Sequence, residues 1–525
     1  MLPRPGTPLG DWALQPEDLS YAYGDNSGFA VTACTWIGLL QDSMVDPNKP
    51  YNVSRRFLDR LILEPRSLIR EYAELGDELL RSIVHTDDGT KIKPLFRAFS
   101  KTPRFREFYF WVRYRDPDVL SWILTFLWFA KKAEYKDEAF LENALKSWLE
   151  LEDENANVHL RPHILRDLKR ILELVGFALD KDDIIFHHGP GKVAEREIAT
   201  ASFDKNLEMR AHDQLVDFVD SFLRTDTPYG EMVIPDPLRW DSSAYGLEKR
   251  STAVSRLEFV PKDYKSVRTI CMEPVSFMWA QQGLMNSMVR AIDRSGLGKW
   301  GAELGYNMPG SRRIPLIDLQ SQENNRTQAL WASEDGLFST IDLRSASDRV
   351  NIRLIEGVFS GFPLDCMLRT RTSLVQLPDD DETVLRVEKF APMGSAVCFP
   401  TQCIIFALQA LLCNHLHTIG VNMQSYIFGS RPVIRDWIAE PPEGTVIYGD
   451  DIIVPDHQTS DMILLLEALG FDVNSSKSFY GDSAVRESCG IYAVDGVDIT
   501  PVLFKTKGIS ENTYESVLGR IQLCN

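Results

Sequence analysis

Thr445-Val446-Ile447-Tyr448-Gly449-Asp450-Asp451-Ile452-Ile453-Val454-Pro455 sets two short apolar runs around a Gly-Asp-Asp. A run of this kind that reverses at a glycine reads as a tight β-hairpin with its carboxylates at the tip. Both runs are buried-strand material, so the acids sit at the edge of a core. Two adjacent carboxylates there repel, and one has its pKa raised unless a cation lies between them. A divalent metal held by hard oxygen ligands relieves that repulsion. An ordinary Asp-rich turn has the same look, so the hairpin needs a partner elsewhere in the chain.

Working outward, Phe338-Ser339-Thr340-Ile341-Asp342-Leu343 reads as a short strand, and Arg344-Ser345-Ala346-Ser347-Asp348 follows it and opens a helix. One of Ser345, Ser347 and Asp348 is expected to cap that helix. Capping does not account for Asp342, which precedes the turn and stands where the strand gives way. If the two strands are neighbours, Asp342, Asp450 and Asp451 converge. Three carboxylates so placed suit two magnesium ions about 3.5–4 Å apart, the arrangement that drives in-line phosphoryl displacement.

Phosphate substrates need positive charge, and this chain is short of it. Lys plus Arg is 57 against 75 Asp plus Glu in 525 residues, a net charge of −18. The acidic total argues against a generic nucleic-acid coat but leaves room for a local basic channel. Lys249 to Arg268 supplies a candidate: Lys249, Arg250, Arg256, Lys262, Lys265 and Arg268 face only Glu258 and Asp263. Within it, Val260-Pro261-Lys262-Asp263-Tyr264-Lys265-Ser266-Val267-Arg268 spaces cations three apart, which on an extended segment would meet successive phosphates. Alone this is a solvated charged loop; beside a metal site it reads as an anion grip.

The remaining chain bounds the class. At roughly 150 residues per domain, the length suggests three or four domains or one multi-lobed enzyme. The 44% hydrophobic and 10% aromatic content excludes a disordered protein. The eight cysteines are scattered without a CxxC pair, which speaks against zinc fingers and disulfide frameworks and suits a reducing cytoplasm. The start, MLPRPGTPLGDW, has no apolar run behind its Arg and does not read as a signal peptide. The longest apolar stretch, Val119 to Ala130, stops at Lys131-Lys132, short of the roughly 20 residues a membrane span needs, so a soluble protein without membrane contact is expected. No fixed-period repeat is visible. Periodicity predicts helices over Arg55–Leu63, Glu138–Leu151 and Ile164–Phe177, the last with a basic face of Arg166, Lys169 and Arg170. A Pro/Gly-rich loop or linker is expected from Thr225 to Gly246. Beyond it, strands Phe338–Leu343, Val384–Phe390 and Val446–Val454 alternate with helices Arg349–Phe359, Thr401–Leu416 and Asp461–Leu469, an α+β pattern from about 310 to 500. Pro378-Asp379-Asp380-Asp381-Glu382 reads as a hairpin tip. His187-His188-Gly189-Pro190-Gly191-Lys192-Val193 lacks the Gly and Ser/Thr of a P-loop, because Phe186 and Val193 occupy those places. It reads as a structural turn, possible RNA contact aside.

In combination these motifs resemble the RNA-dependent RNA polymerases of positive-strand RNA bacteriophages, the replicase catalytic subunit of the levivirus group. The likeness runs from about Arg256 to Pro501, with the motifs in the family's order. Val260-Pro261-Lys262, Lys265, Arg268 and Glu273-Pro274 resemble its fingers motif, Asp342 to Asp348 its first palm motif, and Met393-Gly394-Ser395 after Pro392 its second. Tyr448-Gly449-Asp450-Asp451 is similar to the third and Asn474-Ser475-Ser476-Lys477-Ser478-Phe479 to the fourth. Arg486-Glu487-Ser488-Cys489-Gly490 through Val497-Asp498-Ile499-Thr500-Pro501 is similar to a last motif particular to this phage group.

The resemblance implies a right-hand polymerase, α+β, with a largely helical N-terminal and fingers region and an antiparallel-sheet palm carrying the GDD hairpin. Its parts would be residues 1–250 (N-terminal region and part of the fingers), 251–310 (fingers with the basic motif), 311–500 (palm) and 501–525 (the start of a short or truncated thumb). It implies two Mg²⁺ ions, with Mn²⁺ as a substitute, on Asp342, Asp450 and Asp451. Lys262, Lys265 and Arg268 would neutralise the triphosphate and Lys477 would be the candidate proton donor to pyrophosphate. Asp348, Gly394 and Ser395 would lie at the nucleotide, Asp348 and Ser395 near the ribose 2′-OH. The family commonly has Asn where this chain has Ser395. The implied partners are template and product RNA, ribonucleoside triphosphates, host elongation factors Tu and Ts and a ribosomal small-subunit protein, in the cytoplasm of an infected bacterium. A reverse transcriptase shares the carboxylates, but the Gly before the Asp pair and the phage-like last motif speak against it. An idle polymerase fold acting as an RNA scaffold is the alternative of a different class.

Overall fold

The computed structural model describes residues 60–61, 63–84, 116–132, 138–195, 205, 213–220, 253–299, 301–303, 313–378, 383–429 and 444–503. In chain order, the elements that build the site begin with helices α1 (Pro65–Ser82), α2 (Pro117–Trp128), α3 (Glu138–Asn157) and α4 (Pro162–Leu174). Strands β1 (Val254–Pro261) and β2 (Val267–Met272) and helix α5 (Val275–Arg294) follow. Next come α6 (Glu323–Asp335), β3 (Phe338–Ile341), β4 (Leu343–Arg344), α7 (Ile352–Val358), β5 (Leu374–Gln376), β6 (Val384–Arg386) and α8 (Cys398–Thr418). The chain continues with β7 (Val446–Tyr448), β8 (Asp451–Pro455), α9 (Thr459–Ala468), β9 (Asp472–Val473), β10 (Val485–Ser488), β11 (Ile491–Val494) and β12 (Val497–Asp498). Helices dominate the first part and strands mix with helices after residue 253, the expected α+β character.

Three of the early helices start on proline, at Pro65, Pro117 and Pro162, where a missing N–H costs nothing because the first turn has no acceptor for it. Asp116 caps α2 by accepting from the Asp118 and Val119 N–H groups. Helix α4 buries Ile164, Leu168, Ile171 and Leu172 and turns Arg166 and Arg170 to solvent, so its basic face is outward as its periodicity requires. Helix α8 is apolar all round, and a helix of that kind belongs in a core. Among the described residues it is the one helix long and apolar enough to cross a membrane, and 89% of its apolar window is buried inside the fold. Sequence inspection overlooked that length because Gln402 and Gln409, both buried, interrupt its hydropathy.

The hairpin forms as expected. Strands β7 and β8 pair antiparallel in the register Asp451↔Tyr448, Ile452↔Ile447 and Ile453↔Val446, leaving Gly449 and Asp450 as the two-residue turn. Gly449 has φ +65, and a Cβ there would come within 2.5 Å of the Phe399 ring. A two-residue hairpin loop asks for such a residue. Strand β3 pairs with the other edge of β8 (Ile341↔Ile452, Thr340↔Ile453, Ser339↔Val454), giving a sheet of order β3-β8-β7. A second sheet, β2-β1-β5-β6, contains the β1–β2 hairpin and the β5–β6 hairpin anticipated around Pro378. Strands β10, β11 and β12 form a third, and the short pair β9–β4 continues the line of β3. The main core packs α4, α5, α7, α8 and α9 against the inner face of β3 and β8, with Ile341, Ile452 and Val454 among its members.

Two expectations need correction. The helix predicted from Arg349 begins at Ile352, after a 3₁₀ turn over Ser347–Arg349. Its cap is Asn351, whose side chain accepts from Arg353 N–H, and neither Ser345, Ser347 nor Asp348 caps it. The reason is that Ser345 takes φ +50, which turns the chain before a helix can start. The strand expected over Val384–Phe390 ends at Arg386, because Lys389 bridges to Asn351. The linker expected over residues 225–246, all but the first three residues of the short or truncated thumb expected over residues 501–525, and most of the helix expected over residues 55–63 lie outside the described residues.

Candidate active site

The register of β3 and β8 decides where the acids meet. Ile341 faces Ile452, so the next residues outward, Asp342 and Asp451, leave the two strands side by side, with exposed Asp450 on the adjoining turn. Asp342 is also stitched to the segment after β9. Its backbone C=O accepts from Asn474 N–H at 2.8 Å, its N–H donates to Ser478 Oγ at 3.0 Å, and its Oδ2 accepts from Asn474 Nδ2 at 2.7 Å. The Lys477 ammonium stands 3.8 Å from the same oxygen. Asp451 Oδ1 accepts from the Cys489 N–H at 3.0 Å, and Asn325 Nδ2 bridges the Asp451 carbonyl and Ser488 Oγ.

The electrostatics follow from this arrangement. Burial raises the Asp342 carboxyl above its ordinary value, and the Asp450 charge adds to this, against the pull of Lys477 and Asn474. Burial pushes Asp451 up to about 6, helped by Asp450 and Asp342 and opposed by the Cys489 N–H. Lys477 is raised although burial works the other way, because Asp342, Glu487, Asp450 and Asp451 surround it. Glu487 on β10 is a fourth acid at this place. Its N–H donates to Thr340 Oγ1 at 3.2 Å, and burial, with the Asp451 and Asp342 charges, pushes its carboxyl up to about 8. Sequence reading quoted Glu487 inside a motif and gave it no role.

Clustered carboxylates are a donor set for a hard divalent cation, and Asp342, Asp450 and Asp451 fit one in chemistry. As the side chains lie, no three acidic, His or Cys groups among the described residues close around an ion. The Asp342 and Asp451 oxygens are turned to Asn474, Lys477 and Cys489 instead.

The basic residues gather on the β1–β2 hairpin rather than on an extended segment. Arg268 pairs with Val260 across the two strands, while Lys262 and Lys265 occupy the turn; all three are exposed. Asp263 is used internally, its Oδ1 accepting from Lys265 N–H and Ser266 Oγ. Partial burial lowers the Lys262 ammonium, opposed by Asp263, with Lys477 and Arg268 pushing it down and Asp342 up. Of the site acids, Asp342 is the one whose charge reaches Lys262. The hairpin is fixed by Cys271 N–H, which donates to the Met393 carbonyl at 2.8 Å. Gly394 has φ +120, and a Cβ on it would sit 2.1 Å from the Cys271 carbonyl oxygen, so only glycine lets the two segments touch.

Ser395 and Asp348 are engaged by partners that sequence reading missed. Ser395 Oγ donates to Gln281 Oε1 at 3.0 Å, and Ala396 N–H donates to the same oxygen at 3.1 Å. Asp348 Oδ1 accepts from Lys389 Nζ at 2.9 Å, and Lys389 lies equally close to Glu152 Oε1 and over the Trp148 ring. The turn at Gly189-Pro190-Gly191 is held by buried Lys205, whose Nζ donates to the Gly189 and Gly191 carbonyls at 2.5 and 2.7 Å. That is the structural turn anticipated.

Comparison with known proteins follows the same line. The family model described as RNA replicase, beta-chain, matches residues 168–513. The RNA-directed RNA polymerase subunit beta of Qbeta virus (strain MX1) is 30% identical over 265 residues, 50% of this chain and 37% of the relative. The RNA-directed RNA polymerase beta chain of Escherichia phage MS2 is 31% identical over 251 residues, 47% of this chain and 37% of the relative. The matched stretch thus spans little more than a third of these relatives' own length. Among solved structures, the RNA-dependent RNA polymerase from bacteriophage phi12 aligns with a TM-score of 0.39 at 12% identity, covering 68% of this chain and 58% of the other.

Proposed function

The chain belongs to the RNA replicase beta-chain family, and on that footing we propose that it is an RNA-directed RNA polymerase that extends RNA on a positive-strand phage template. The observation that carries this reading is the β3–β8 register, which sets Asp342 beside the Gly-Asp-Asp turn. In this reading residues 311–500 are the palm, residues 251–310 the part of the fingers that grips the nucleotide, and residues 1–250 the N-terminal region with the rest of the fingers.

Asp342, Asp450 and Asp451 would hold two Mg²⁺ ions, or Mn²⁺ in their place. Bound there, the ions supply Lewis acidity toward the attacking hydroxyl and charge neutralisation for the departing pyrophosphate. The protein's own groups do the positioning. Lys262, Lys265 and Arg268 on one rigid hairpin meet the triphosphate, with Arg able to take two phosphate oxygens at once. Lys477 carries a proton at Nζ that Asp342 keeps in place, and that proton passes to the pyrophosphate oxygen as the Pα–O bond breaks and the 3′ oxygen, its own proton released to water, bonds to Pα. Ser395, aligned by Gln281, and Asp348, anchored by Lys389, stand where a ribose 2′-OH would be checked, with Gly394 keeping that loop against β2. Alignment and electrostatics of this kind supply most of the rate in phosphoryl transfer.

The names of the relatives, subunit beta and beta chain, support an assembly with further subunits. By resemblance these are host elongation factors Tu and Ts and a ribosomal small-subunit protein, in the cytoplasm of an infected bacterium.

The test is incorporation of labelled UTP on poly(A) with Mg²⁺, wild type against Asp450→Asn. The wild type is expected to incorporate, and the variant to lose at least about a hundredfold, the scale seen when a transition-state charge stabiliser is removed. Equal incorporation by both proteins would remove the acidic site from the chemistry; incorporation of dTTP as readily as UTP would change the substrate class.

A further inference from the structure

The loop of residues 392–397 and the first turns of α8 touch both halves of the site. Phe399, in the first turn, meets the Tyr448 ring edge-on at 4.9 Å and closes the space beside Gly449. Cys403, one turn on, accepts the Gly449 N–H at Sγ, 3.0 Å away. The Cys398 N–H donates back to the Ser395 carbonyl at 3.3 Å, so Ser395 is tied to the turn of helix that packs on the Gly-Asp-Asp hairpin. On the other side, Met393 and Gly394 lie against Cys271 of β2, on the hairpin that carries the basic residues.

The hydrogen-bond polarity of Ser395 is fixed by its neighbours. Its Oγ meets Gln281 Oε1 on α5 at 3.0 Å. Two backbone groups, each of one polarity, settle which end of the Gln281 amide is the oxygen. The Ala396 N–H can only donate, and it points at Oε1 from 3.1 Å. The Thr370 carbonyl can only accept, and it takes Nε2 at 2.8 Å. The Glu273 carboxylate is also bonded to this amide, so the Gln281 head group is fully engaged from all sides. Gln281 is 0% exposed and Ser395 8%, which keeps water from replacing these bonds. A serine hydroxyl has one proton and two lone pairs. Because an amide oxygen can only accept, the bond between the two side chains uses the Ser395 proton. Among the described residues Ser395 Oγ makes no other hydrogen bond, and what it has left to offer is acceptor capacity alone.

We propose that Gln281 is a positioning residue that sets substrate specificity: by taking the Ser395 proton it makes Ser395 an acceptor only, and the sugar pocket then selects nucleotides whose 2′ group donates a hydrogen bond. A 2′-hydroxyl or a neutral 2′-amine satisfies this. A 2′-fluorine, close to hydroxyl in size but unable to donate, faces a lone pair and is disfavoured, since a buried polar group left unpaired costs more than a hydrogen bond gains. The proposal rests on the polymerase reading, which puts Ser395 at the ribose; the polarity itself stands on the hydrogen bonds around Gln281.

The test is kcat/KM on poly(A) with Mg²⁺ for UTP, 2′-amino-UTP and 2′-fluoro-UTP, at mildly alkaline pH where the amine is neutral, using the full chain. The wild type is expected to use 2′-amino-UTP within about tenfold of UTP and to disfavour 2′-fluoro-UTP by at least about thirtyfold. Gln281→Met keeps the length of the stem and removes the acceptor, freeing the Ser395 hydroxyl to turn and donate. The preference for UTP over 2′-fluoro-UTP should then fall by about tenfold. A merely structural role would lower both nucleotides alike and leave their ratio unmoved. Ser395→Ala should lower the ratio to a similar extent, and adding Gln281→Met to it should change the ratio no further, because Gln281 acts through Ser395. If Gln281→Met fails to fold, the wild-type order of the two analogues and its loss in Ser395→Ala decide the matter. A wild type that takes 2′-fluoro-UTP as readily as UTP overturns the proposal. So does an unchanged ratio in folded Gln281→Met, which would assign the selection to Asp348. A wild type that incorporates no UTP is a different result: it sinks the polymerase reading, and this proposal with it.

Discussion

Glu273→Gln should abolish a pH dependence of stability that the fold builds into the junction where the chain after β2 meets the segment before β5. Glu273 is 1% exposed, and its Oε2 accepts a short hydrogen bond from the Thr372 hydroxyl. Burial pushes its carboxyl from 4.5 up to about 7, against the opposing influence of Thr372, Gln281 and Arg371. A folded-state value above the unfolded one means that the native protein binds the extra proton. The stabilisation is then complete below about pH 4.5 and is lost as pH rises through about 7. That gap corresponds to roughly 3 kcal/mol of stability between the two ends of the window. Glutamine keeps the shape, can still accept from Thr372 and never ionises, so the variant should equal the wild type near pH 4.5 and exceed it by up to roughly 3 kcal/mol at pH 8. Urea unfolding at pH 4.5, 6, 7 and 8, analysed as the difference between the two proteins, cancels every other titrating group. A difference that is flat across the range, or one that favours the wild type at pH 8, would refute the assignment of a proton to this carboxyl. The junction matters for the site because Gln281, beside Glu273, is the residue that accepts from Ser395.

Two other perturbations probe the supports of the site. Gly394→Ala puts a methyl against the Cys271 carbonyl in a backbone conformation hostile to side chains. It should cost more than about 2 kcal/mol and raise the KM for UTP as the β1–β2 hairpin is pushed off Met393; a variant of wild-type melting temperature and KM would contradict the close approach. Lys389→Met removes the cation between Asp348 and Glu152, leaving two buried carboxylates facing each other. An expected loss of about 3–5 kcal/mol in chemical denaturation follows, and a loss under about 1 kcal/mol would show that these acids are solvated.

The parts of the site legible in the sequence are those whose signal is local. The hairpin could be read because two apolar runs and Gly449 sit within one short stretch, and Asp342 because it ends a strand on its own. The α7 boundary was misplaced because its determinant is not local: Ser345 turns the chain in a left-handed conformation, and Ile352 N–H donates to Glu388, 36 residues away in sequence, at 2.8 Å. Asp348 reads in the sequence as a candidate cap or ribose contact, since nothing in its spacing reveals Lys389 or the Glu152 that shares it.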